Sequence, residues 1–132
     1  MKLLVALGLS AALCAVRAAH ADCTYPPPPD HLPDGRTATM AEMVAAQKLV
    51  KAYDTAINSY LACIKLERDD TVAKMPAPKP GSKPTPEQQK AMDDLDRVAT
   101  QKHNAAIDQD QSIADRFNEQ VRAFKARSDQ KK

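Results

Sequence analysis

The chain has 132 residues, of which 43% are hydrophobic but only 4% aromatic, and 19 basic against 17 acidic side chains leave a formal charge of +2. That near-balance lacks the basic footprint of a nucleic-acid binder. With two Phe, three Tyr and no Trp, the sequence suits one small domain built by close helix packing around alanine, not a large globular interior.

The first stretch, MKLLVALGLSAALCAVRAAHAD, has the three parts of a secretory signal: Lys2, an apolar run from Leu3 to Val16, and small residues at Ala19 and Ala21. A cleaved signal peptide over residues 1–21 is expected, with the cut before Asp22. The apolar run falls short of the roughly 20 residues a membrane span needs. Neither Cys14, after Leu13, nor Cys23, after Asp22, follows the small residues of a lipidation site, and no twin arginine precedes the run. Residence in the periplasm or medium is expected, with no nucleic-acid partner and no stable membrane insertion after cleavage. Lys2 and Arg17 leave with the signal, so 17 basic residues face 17 acidic ones and the charge falls to zero.

Cys14 leaves as well, and the remaining Cys23 and Cys63 have a single intramolecular pairing in an oxidising compartment. They are too far apart in sequence for a C-x-x-C redox pair. A structural disulfide is expected. Residues 22–38, which include CTYPPPPDHLPDG, read as a proline-stiffened strap with a turn near Pro33-Asp34-Gly35. Cys63 stands about 36 Å along the helix that follows, and the 16 residues from Cys23 to Thr39 can span up to about 50 Å. The strap is therefore expected to run back over the line Leu49, Ala56 and Cys63, covering it.

Thr39 and Glu42 form a capping box that opens a helix expected over residues 39–70. Its seam is Met43, Ala46, Val50, Tyr53, Ile57, Tyr60 and Ile64, at the alternating steps of three and four of a coiled-coil-like face. KMPAPKPGSKPTP then stops it: five prolines and a glycine permit neither helix nor sheet. Residues 71–85 read as a semi-rigid connector, with a docking loop for an anionic surface or an aromatic groove as the sharper alternative. Thr85, Pro86 and Gln88 restart helix, expected to about Arg127, before a polar tail over residues 128–132. The second seam runs Met92, Leu95, Ala99, His103, Ala106, Asp110, Ile113, Phe117, Gln120 and Phe124, broken by His103, Asp110 and Gln120. The fold class expected is all-α: an antiparallel two-helix hairpin with a proline-rich N-terminal strap pinned by a disulfide. The second helix, being longer, overhangs the first or bends.

His103 and Asp110, seven residues apart, are the candidate ligand-binding pair, with Glu42, Asp54, Glu67 and His31 as conceivable neighbours. A metal needs three or more consistent ligands, so no metal site and no cofactor is assigned. Carboxylates in MDDLD suit the helix dipole. Both mature thiols are used in the bond, Ser59, Ser82, Ser112 and Ser128 sit in no nucleophile elbow, and no glycine-rich phosphate loop exists. No enzyme is expected. The apolar face is wider than one seam requires and carries methionines such as Met40 and Met43, so a protein partner or self-association is expected.

CTYPPPPDHLPDGRTATMAEMVAAQKLVKAYDTAINSYLACI, with ADRFNEQVRAFKA near the end, resembles small exported α-helical proteins of proteobacteria that carry a Cys/Pro-rich N-terminal segment. The resemblance spans most of the mature chain; it implies periplasmic or secreted residence and brings no activity or catalytic residues. The expected function is non-enzymatic protein contact, in envelope maintenance or as a holdase-like chaperone. The alternative is metal or small-ligand binding through His103 and nearby carboxylates.

Overall fold

The computed structural model describes residues 23–130; the signal peptide expected over residues 1–21 lies outside the described residues, as does the end of the tail. Two helices, α1 (Met40–Ala73) and α2 (Pro86–Asp129), pack antiparallel as a hairpin, and no strand occurs among the described residues. Both start as their local chemistry dictates. Thr39 holds extended backbone, its hydroxyl accepts from the Glu42 N–H at 3.2 Å, and the Glu42 carboxylate accepts from the Thr39 N–H at 2.6 Å. Thr85 and Gln88 repeat the exchange at 3.2 and 2.9 Å, with Pro86 in the first turn. α1 runs on to Ala73, past residue 70, because the first proline after it is Pro76 and nothing earlier opposes helix.

The core lies along the facing seams in two clusters. Tyr53, Ile57, Tyr60 and Ile64 of α1 meet Ala106 and Ile113 of α2, and nearer the chain termini Met43 and Ala46 meet Phe117. Ile57 and Ile113 are both only 1% exposed. α2 is 44 residues long against 34 in α1, a surplus of about 15 Å at ~1.5 Å per residue. Some of that surplus projects beyond the start of α1, and the strap turn fills the corner: Ala38 is buried beside Phe117, with Leu32 and Phe124 packed against them.

Cys23 and Cys63 form the disulfide, with Cα atoms 5.7 Å apart across 40 positions of sequence. Cys23 packs against the Tyr60–Ile64 cluster, and the Tyr25 ring meets the Tyr60 ring edge-on at 5.1 Å between centroids. The path between the two ends corrects the expectation that the strap covers the line Leu49, Ala56 and Cys63. The strap reaches Cys63, but Leu49 stays 55% exposed. The turn at residues 34–38 is drawn to α2 instead, and the strap stands off from the outer face of α1.

Candidate functional site

The pull toward α2 comes from Gly35. It is buried, its N–H donates to the Gln120 side-chain oxygen at 3.0 Å, and a Cβ built on it would sit 1.9 Å from the Gln120 carbonyl oxygen. Only a residue without a side chain can bring backbone that close to a helix. Asp34 shapes the turn: its carbonyl accepts from the Thr37 and Ala38 N–H groups at 3.0 and 2.8 Å. Its carboxylate accepts from the Arg36 side chain and backbone, which hold the carboxyl below the usual range. From the end of α2 the Arg127 guanidinium donates to the Arg36 and Ala38 carbonyls at 2.8 and 2.5 Å, and rests against the Phe124 ring. These contacts pair carbonyls that the strap, outside helix and sheet, leaves without backbone partners in regular structure; the one at Ala38 is part-buried and the one at Arg36 exposed.

Between strap and α1 an open groove of about 810 Å³ remains. Pro26 to Pro29 form one wall, Ala45, Leu49, Ala52 and Ala56 the other, with Tyr53 between them, and Asp30, His31, Asp34 and Glu42 also line it. A second apolar hollow, on the flank where α1 begins, places Met40 and Val44 beside Phe117, Val121 and Phe124; Met40 is 63% exposed.

The three polar residues that interrupt the α2 seam separate into three roles. Gln120 receives the strap. Asp110 sits between the buried Ala106 and Ile113, half-buried, and faces Asp54 across the helix interface; burial first, and the Asp54 carboxylate second, push its carboxyl up. The Tyr53 hydroxyl is buried close by without a well-formed hydrogen bond, and burial, then the Tyr25 phenol and Asp110, push it up as well. His103 is exposed two helical turns away, in a hollow with Leu61, Ala62 and Thr100. The two candidate ligand residues thus have different neighbours. No group of three or more His, Cys, Asp or Glu side chains placed to hold a metal occurs among the described residues, and none of their helices is long and apolar enough to cross a membrane.

Sequence reasoning saw Gly35 as a turn residue and Gln120 as a flaw in the seam, and paired neither with the other. Comparison of the chain with protein-family models, with curated proteins and with solved structures gives no match.

Proposed function

We propose that this chain is a non-enzymatic exported protein that works by contact with other proteins, residing in the periplasm and serving envelope maintenance in the manner of a holdase. One observation carries the reading: the hairpin buries its seam, yet leaves Leu49 in the strap groove and Met40 and Val44 on the flank open to solvent. Clustered exposed apolar side chains in a chain otherwise well packed suit binding to extended or unfolded segments. The test is light scattering by a reduced, aggregating client with the oxidised protein added. Slowed aggregation near equimolar protein is the expected result, and no effect at large excess removes the holdase reading. Capture from an envelope fraction with the oxidised protein as bait then identifies partners.

A second reading, binding of a metal or small ligand, expected from the sequence at His103 and nearby carboxylates, draws instead on Asp110, two helical turns from His103, the facing Asp54 and the underused Tyr53 hydroxyl. Native mass spectrometry with divalent metals separates the two: stoichiometric adducts lost in Asp110→Asn favour the ligand reading, and their absence removes it.

A further inference from the structure

We propose that the strap groove receives the proline- and lysine-rich connector of a second copy of this chain, so that two copies close as a two-fold antiparallel dimer. The inference rests on the reading that the protein acts by protein contact, and names one such partner.

Charge is the first reason. Asp30, Asp34 and Glu42 line the groove and no Lys or Arg does. Asp34 is already engaged by Arg36 at 3.0 Å, which leaves Asp30 and Glu42 to give the groove its sign. The Thr39 N–H, and then its hydroxyl, hold the Glu42 carboxyl low, so it stays ionised. The connector has the opposite character: Lys79 and Lys83, with Lys74 at its start held by Asp70 at 2.6 Å, and no acidic residue from Thr71 to Pro86.

Shape is the second. Residues 76–78 of the connector follow no helix or strand and are exposed. The loop then turns at Lys79–Ser82, where the Ser82 N–H donates to the Lys79 carbonyl at 2.9 Å and Gly81 takes the positive φ of 81° that such a turn requires. Residues 76–78, if extended as polyproline, would be about 9 Å long, and the α1 wall from Glu42 to Ala56 is about 21 Å. Ala45, Ala52 and Ala56 present only methyl groups to proline rings there. Prolines also bring no N–H groups that would be left unpaired against an apolar wall.

Position is the third. The groove runs along α1 from Glu42 to Ala56, toward the end where that helix begins, and the connector lies beyond the opposite end, about 38 Å from the groove's middle at Leu49. A two-fold axis across the middle of the hairpin sets each connector against the other copy's groove, so both contacts form at once and the assembly closes. Without that axis the same contact would repeat as an open filament.

Sedimentation velocity on the oxidised protein, over micromolar to millimolar concentration, tests the proposal. A monomer–dimer equilibrium that weakens with salt is expected. Lys79→Glu with Lys83→Glu should weaken it about tenfold, and Asp30→Lys several-fold. Combining Asp30→Lys with Lys79→Glu should recover part of the loss, a recovery that misfolding cannot mimic. A synthetic peptide of residues 74–86 should shift the NMR signals of Leu49 and Ala52. A monomer throughout, a dimer indifferent to these charges, or a peptide that leaves the groove signals unmoved overturns the proposal. Client protection measured on the charge-reversed monomer still reports separately on the holdase reading.

Discussion

The two ends of the hairpin are held together by different means. At the strapped end Met43, Ala46, Tyr53, Ile57, Tyr60, Ile113 and Phe117 are buried, and a third layer of chain is tied to both helices. Toward the connector Ile64 and Ala106 are the last buried residues. Beyond them apolar side chains such as Leu95 and Ala99 are only half-buried, and surface charges pair across the helices: Arg68 with Asp96 at 2.6 Å and Lys102 with Glu67 at 3.5 Å, while Leu66 remains 69% exposed. Apolar burial grows with area removed from water, whereas exposed ion pairs contribute little and are screened by salt. One covalent link and one close-packed turn therefore give the molecule a firm end and a loose end. Hydrogen exchange should report this directly, with amides near Asp70 and Asp94 opening before those near Ile57 and Ile113.

The sharpest way to break the contrast is Cys63→Ser. Closing a loop of 40 residues is worth about 4 kcal/mol in the chain-entropy account, and urea unfolding of the variant should lose most of that. Next comes Gly35→Ala with the disulfide intact. Its Cβ has nowhere to go against the Gln120 backbone, so the turn must lift, at a cost of about 1–3 kcal/mol, and exchange should quicken at Ala38 and Phe117 but not at Leu95. Arg127→Ala removes two donors to strap carbonyls and should cost about 1–2 kcal/mol, again confined to the firm end.

Much of the hairpin was legible because its signals are local. Thr39 with Glu42, and Thr85 with Pro86 and Gln88, announce helix starts through bonds that span three residues. Cys23 had a single partner once Cys14 was assigned to the leader. The course of the strap was not legible, because the decisive contact joins Gly35 to Gln120 across 85 positions. Reach alone allowed the strap to lie on Leu49; the absent side chain at Gly35, a signal for close backbone approach as much as for a turn, took it to α2. The surroundings of His103 and Asp110 were hidden for a related reason. Seven residues on a helix share a direction, but neighbours from α1 and the strap decide what each side chain meets.

Two smaller tests sharpen the comparison. Asp110 has its folded value raised above the ordinary 3.8 by burial and by Asp54, so the unfolded chain releases that proton first. Its stabilising effect is complete below about pH 4 and declines as pH rises through the folded value. Asp110→Asn should therefore gain on the parent protein as pH rises above about 4 in melts followed by circular dichroism. The acids held low, such as Asp34, Asp69 and Asp94, act in the opposite sense and cancel in the difference. The smallest effect belongs to Arg68→Ala, which should leave the melting temperature nearly unchanged at moderate salt and only quicken exchange near Leu95.

The disulfide also decides how the molecule would respond to a pulling force. With tension applied between residue 23 and the far end of α2, load passes along the covalent chain from Cys23 straight into α1 at Cys63, and the strap, its turn and the first two thirds of α1 lie outside that covalent path. The bond withholds 40 positions of chain, so a fully extended oxidised molecule should be shorter than a reduced one by roughly 140 Å. The proline wall would feel no tension until the sulfurs part.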